Sequence, residues 1–353
     1  MHDIPHRTRF VPIALLLAWA APSAFPAHAA ETSFDHEDWQ VVCDNTRTCR
    51  VAGYQSDDAE MPVSVLLTRK AGAGTSVAGR VMLGDGWEDS MLNALPAQFR
   101  VALWIDGKQQ GGTVTKDALE ADLTAAQTAA LLKALARDTR IEFRAGKTVW
   151  SLSDRGAAAV LLKMDEFQGR IGTVGAAFRK GKQTEAKVLP PLPAPVVKAA
   201  ALAPAKPGDA QFIAKNGDAV RKALRSATAE DECEDLHKTG EEQEALEAVR
   251  LTMNKLLVST RCWLGAYNAF SGYWIINDTA PYRPELVTSE ASDFDDSTLM
   301  SSHKARGIGD CWGREQWTWN GTGFVQTASS STGMCKRFTG GAWELPTLVT
   351  EIR

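Results

Sequence analysis

Trp39-Gln40-Val41-Val42-Cys43-Asp44-Asn45-Thr46-Arg47-Thr48-Cys49 is the stretch from which the fold is read. Side chains alternate across a strand, so Trp39, Val41 and Cys43 share one face. Cys49 and Val51 resume that face on the return. Asp44 and Asn45 lie between the cysteines and take turn conformations readily. The reading is a hairpin closed across its own loop by a disulfide, opening the first folded domain. It indicates where the protein folds, and names no reaction.

Working toward the N-terminus, residues 1–29 read as a secretory signal peptide. Arg7 and Arg9 form a basic start, Val11 to Ala20 an apolar core, and Ala27-His28-Ala29 a small-x-small cleavage site. The apolar run is shorter than the roughly 20 residues that span a bilayer. The expected product is a soluble exported chain, periplasmic in a bacterium, with no transmembrane segment after cleavage near Ala29. The full chain has a net charge of −4. The leader carries Arg7, Arg9 and Asp3, so its removal makes the remainder one charge more negative. Both signs are interspersed and no basic stripe occurs, which argues against a nucleic-acid partner.

Cys43, Cys49, Cys233, Cys262, Cys311 and Cys335 all follow the cleavage site. An even number in an oxidising compartment points to disulfides. Sequence alone leaves the connectivity open. Pairing neighbours, 43–49, 233–262 and 311–335, keeps each bridge within one domain and is the expectation here. No Cys-x-x-Cys spacing marks a redox pair, and His36, His237 and His303 are too scattered for a zinc set.

Pro190, Pro191, Pro193, Pro195, Pro204 and Pro207 mark residues 186–210 as a semi-rigid, extended linker. Residues 31–185 before it read as an α+β domain. Pro62 to Arg69 and Gln98 to Ile105 alternate as strands. Thr124 with Gln127 forms a capping box, and Thr128, Leu131, Leu132 and Leu135 follow at helical spacing. Arg140 to Arg144 and Thr148 to Ser153 make a hairpin, and a second helix over 155–168 ends at Gly169. Residues 211–353 read as a mostly antiparallel β domain preceded by a helix. That acidic helical stretch is expected from Asp218 to Val249, and Asn320-Gly321 between Trp319 and Phe324 signals a hairpin.

Two groups of residues carry a family resemblance. The first is the opening Trp39-x-Val41-x-Cys43 hairpin with Met164-Asp165-Glu166-x-Gln168-Gly169-Arg170 and Gly172-Thr173. The second is Gly265-Ala266-Tyr267-Asn268, Gly309-Asp310-Cys311 and Trp317-x-Trp319. Together they resemble the bacterial domain-of-unknown-function family 1176 over most of the mature chain. The opening motif also shares a partial similarity with the invasion-associated locus B family. Both resemblances imply an exported envelope protein; neither supplies a reaction or a catalytic residue.

Candidate contact residues follow from local chemistry. Asn45 and Arg47 sit at the tip of a stapled loop, where a preformed loop loses little entropy on binding. The plainer reading is that Asn45 makes the turn and Arg47 is solvated. Tyr267, Trp317 and Trp319 offer aromatic faces for a glycan or peptide, or else form core. Asp85, Glu88 and Asp89, like Asp293, Asp295 and Asp296, miss the calcium-loop template. No Gly-x-Ser-x-Gly elbow frames a serine, and Gly72-Ala73-Gly74 lacks the lysine of a phosphate loop. No cofactor or metal is expected. The leading expectation is a non-enzymatic binding module for an envelope protein or a peptidoglycan fragment. The alternative is a periplasmic hydrolase using His303 and Asp310.

Overall fold

In a computed structural model of the chain, residues 32–85, 98–115 and 119–353 are described. The expected leader lies outside them, as do Glu88 and Asp89. The N-terminal half runs β1 (Thr32–His36), β2 (Trp39–Cys43), β3 (Cys49–Tyr54), β4 (Val63–Arg69) and β5 (Ala78–Leu83). It continues β6 (Arg100–Ile105), β7 (Lys108–Val114), β8 (Glu120–Leu123), α1 (Ala125–Ala134), β9 (Ile141–Ala145), β10 (Thr148–Leu152) and α2 (Ala157–Phe167). The first sheet has the order β1-β2-β3-β4-β5-β8 and the second β10-β9-β6-β7, each antiparallel throughout.

Cys43 stands opposite Cys49 in the β2–β3 register and is bonded to it. Trp39, Val41 and Val51 on the same face join one core with Val101, Leu103, Phe143 and Trp150 of the second sheet, Leu131 of α1 and Met164 of α2. The capping box at α1 forms as read: Thr124 Oγ1 accepts from Gln127 N–H, and Gln127 Oε1 accepts from Thr124 N–H. Gly169 ends α2 at φ 68°, the left-handed position.

The other face of the first sheet is not open to solvent. Val42, Ala52, Tyr54 and Leu66 pack against Phe338, Ala342, Trp343 and Leu345 from the end of the chain. Fully burying a side chain of this size contributes roughly 1.5–3 kcal/mol. Polar fasteners surround the contact. Trp343 Nε1 donates to Ser64 Oγ (2.7 Å), Met334 N–H to Tyr54 Oη (3.2 Å), and Lys336 Nζ to Asp38 (2.7 Å) and Asp57 (2.5 Å). Burial lowers the Lys336 pKa, and the two carboxylates outweigh it to hold the ammonium above its ordinary value.

The proline-rich segment is extended and bonded along its length. Leu192 N–H donates to Thr46 O, and β11 (Val196–Val197) pairs in parallel with the terminal strand at Glu351–Ile352. Ala200 and Ala203 then donate to Trp319 O and Leu251 O.

Beyond it come α3 (Phe212–Ala227), α4 (Glu234–His237), β12 (Glu247–Arg250), β13 (Lys255–Leu264), β14 (Ala269–Asn277) and β15 (Glu285–Ala291). After these follow β16 (Asp293–Asp295), β17 (Thr298–Lys304), β18 (Trp312–Trp319), β19 (Phe324–Ser331), β20 (Leu345–Val349) and β21 (Glu351–Ile352). The expected helix over 218–249 is corrected here: it starts at Phe212, stops at Ala227, and the remainder is the short α4 and a strand. Its apolar spacing lapses after Leu224, Thr228 turns extended, and Cys233 is tied to Cys262 on β13. The sheet β12-β13-β14-β15 forms a middle layer. Leu256, Val258, Trp274 and Ile276 face α3 and α4, while Leu257 and Ile275 face the sheet β16-β17-β18-β19-β20 through Leu299 and Trp319. The third disulfide joins Cys311 to Cys335. Among the described residues no helix is long and apolar enough to cross a membrane.

Candidate functional site

The segment Met164 to Thr173 turns α2 into a buried polar knot. Met164 enters the core, and Asp165 meets Arg69 of β4, both 1% exposed. Arg69 Nη2 donates to Asp165 Oδ1 (2.6 Å), Nε to Gln168 Oε1 (2.6 Å) and Nη1 to Gly175 O (3.1 Å). Asp165 also accepts the Ala177 and Phe178 N–H groups at 2.9 and 3.0 Å. Arg170 pairs with Glu185 and holds Gly72 O and Thr75 Oγ1. Burial lowers the Arg69 pKa, and the Asp165 carboxylate opposes it. Asp165 and Glu185 are each committed to a guanidinium, so the chemistry of the knot is positional: it fixes the 72–77 and 173–181 loops.

The stapled loop is held by its neighbours. Asp44 Oδ1 accepts from Thr46 and Thr48 N–H, and Asp44 Oδ2 pairs with Arg50. Asn45 exchanges two hydrogen bonds with the Val349 backbone, at 3.0 and 2.8 Å. Arg47 Nη1 donates to Pro190 O, and Gln168 Nε2 donates to Arg47 O. Both tip residues are therefore engaged by β20, the proline segment and α2.

His303 and Asp310 are not brought together as an acid–base pair. The exposed His303 ring stands edge-on to Phe270 (5.9 Å) and covers Gly313. Buried Asp310 accepts from Arg306 Nε (2.7 Å) and Nη2 and from Arg337 N–H (2.6 Å), and Arg306 holds it below the usual carboxylate range against its burial. Asp310 lies beside Cys311 and Cys335, whose sulfurs are spent in their disulfide. Asp293 and Asp295 are exposed on β16, and Asp296 follows in the turn.

The aromatic candidates separate. Trp319 is 1% exposed and its ring meets that of Phe324 at a tilt (5.4 Å), and half-buried Trp317 packs on the same core. Tyr267 is 46% exposed and stands in a different setting. In the same turn and in the loop that its ring touches, Trp263 (38%), Leu264 (61%) and Ile308 (57%) are also exposed. Trp263 sits edge-on to Phe270 at 5.0 Å, and its ring covers Gly265, where a Cβ would collide with it. The Tyr267 ring lies against Gly307, next to Ile308.

This surface is rigidly mounted. Asn268 Nδ2 donates to Lys304 O and Asn268 Oδ1 accepts from Lys304 N–H, both at 2.9 Å, tying the β13–β14 turn to the end of β17. The Arg306–Asp310 pair and Trp312 Nε1 donating to Gly309 O (2.9 Å) hold the second loop. The motifs Gly265–Asn268 and Gly309–Cys311 thus belong to two adjoining loops that carry exposed apolar residues. Sequence reading named Tyr267 and missed Trp263, Leu264 and Ile308. The available signal was two large apolar residues placed directly before a turn, where polar ones are usual.

The model of the family described as "Protein of unknown function (DUF1176)" matches residues 33–350. The chain is also similar to the uncharacterized protein YpfG of Escherichia coli (strain K12), 28% identical over 364 residues and covering 94% of each chain. No solved structure matches.

Proposed function

The chain belongs to the DUF1176 family, and from that premise we propose that it is an exported, periplasmic, non-enzymatic module that binds an envelope protein. The observation carrying this reading is the exposure of Trp263, Leu264, Tyr267 and Ile308 on two loops tied together by Asn268 and Lys304. Large exposed apolar groups on a fixed scaffold mark interaction sites, and Trp and Tyr are among the side chains that most often dominate binding energy. Leu264 and Ile308 offer no hydrogen bond to a sugar hydroxyl, which favours a protein partner over a peptidoglycan fragment. Three disulfides are consistent with export, and the reading of residues 1–29 as a leader supports the same compartment.

The test places a photo-crosslinking amino acid at Leu264 in the exported protein within its native envelope. The expected result is an adduct of defined protein mass that disappears with Trp263→Asp and is not formed from Val325, an exposed apolar residue on β19. Adducts with peptidoglycan alone, or none above the Val325 control, would count against the proposal.

A further inference from the structure

We propose that a second, separate site, the cleft between α1 and the 173–181 loop, binds a small amphiphilic anion: an alkyl or acyl chain ending in a carboxylate or phosphate. The cleft has a volume of about 630 Å³. That falls within the ~300–1,000 Å³ of small-ligand pockets. Its walls come from three places. Ala125, Ala129 and Leu132 on α1 face Ala177 and Phe178, and Val77 closes one end. Leu132, Val77 and Phe178 also pack on the main core, so the lining is rigid and continuous with it.

Exposed Ala125 and Ala129, one helical turn apart, leave the space that larger side chains would fill. The buried knot sets the opposite wall. Asp165 receives the N–H groups of Ala177 and Phe178, and Arg69 holds Gly175 O, so the segment before Lys180 cannot collapse onto α1 without breaking charged hydrogen bonds. Thr128 lines the same cleft, 3% exposed, and its Oγ1 has no hydrogen-bond partner.

Charge selects the head group. Lys133 and Lys180 line the mouth, and Arg179 lies over the Phe178 ring at 5.3 Å. None of these three cations forms an ion pair among the described residues, whereas the Arg69 charge inside is matched by Asp165. A positive collar above an apolar trough, on a chain of net charge −4, fits a ligand with an apolar body and one anionic end. The Met164–Thr173 motif thereby acquires a role: it builds the wall rather than touching the ligand.

Calorimetric titration of the disulfide-intact protein, below micellar concentrations, tests this with dodecanoate, dodecyl phosphate, dodecanol and dodecyltrimethylammonium. One equivalent of either anion is expected to bind at least tenfold more tightly than the ammonium. Ala129→Trp, or Ala125→Phe as the milder filling, should weaken the anions at least tenfold. Lys133→Glu with Lys180→Glu should do the same while leaving dodecanol unchanged. Trp263→Asp should leave anion binding intact, which separates this site from the aromatic patch. The proposal is overturned if neither anion saturates, if the ammonium binds equally well, or if both filled variants fold and retain affinity.

Discussion

Lys336 offers the sharpest test of how the end of the chain is fastened to the first sheet. Its side chain is 9% exposed, and the ammonium joins Asp38, 10% exposed at the side chain, and Asp57, 89% exposed. Lys336→Met keeps the apolar stem and removes the charge, leaving Asp38 buried beside no cation. Breaking one side of a buried pair costs about 3–5 kcal/mol. Asp57→Asn removes only a solvent-screened partner and should cost about 0–1 kcal/mol. Asp38→Asn added to Lys336→Met removes the stranded charge and should recover much of the loss. The folded pKa of Lys336 is raised, so its contribution is fully present below the ordinary value of 10.5 and is lost as pH rises through the higher folded value. The gap between wild type and Lys336→Met should therefore stay constant from pH 6 to 9. Guanidinium unfolding with disulfides intact reads these differences from midpoint shifts. A cost below about 1 kcal/mol for Lys336→Met, or an equal cost for Asp57→Asn, would refute the assignment of Lys336 as a buried clamp.

Two further predictions concern the staple and the acid limb. Cys43→Ala with Cys49→Ala opens a loop of sequence separation 6. This should cost about 2 kcal/mol on the chain-entropy model and speed hydrogen exchange at Val349, which Asn45 holds; an unchanged midpoint would contradict it. Asp209 is pulled down to about 2 by its hydrogen bond with Arg250, so it contributes stability above 3.8 that is lost as pH falls through about 2. Asp209→Asn should lower stability at pH 7 and make the loss between pH 4 and 2 shallower, and carboxyl NMR should find Asp209 still ionised at pH 3.

Elements resting on local chemistry were legible in the chain. The β2–β3 hairpin follows from period-two alternation, the start of α1 from Thr124 and Gln127, and the β18–β19 turn from Asn320-Gly321. The stretch 218–249 does not form one helix, because its acidic composition favours solvent exposure without supplying an apolar stripe beyond Leu224. Of the candidate site, Tyr267 was visible as an aromatic at a turn. Ile308 lies on another loop, which the fold sets beside the Tyr267 turn through the Asn268–Lys304 hydrogen bonds and the Tyr267–Gly307 contact.

By itself, then, the sequence determined the stapled hairpin, the α+β character and the capped helix, because each depends on residues close along the chain; the Cys233–Cys262 and Cys311–Cys335 bridges, 29 and 24 residues apart, were settled by the fold. Only the tertiary structure decided that Val42, Tyr54 and Leu66 are covered by Trp343 and Phe338, that Asn45 docks on β20, and that Asp165 holds the Ala177–Phe178 wall of a cleft beside α1. Alternation tells which side chains share a face. What lies against that face is chosen by shape and charge complementarity between segments hundreds of residues apart, and no local pattern records it.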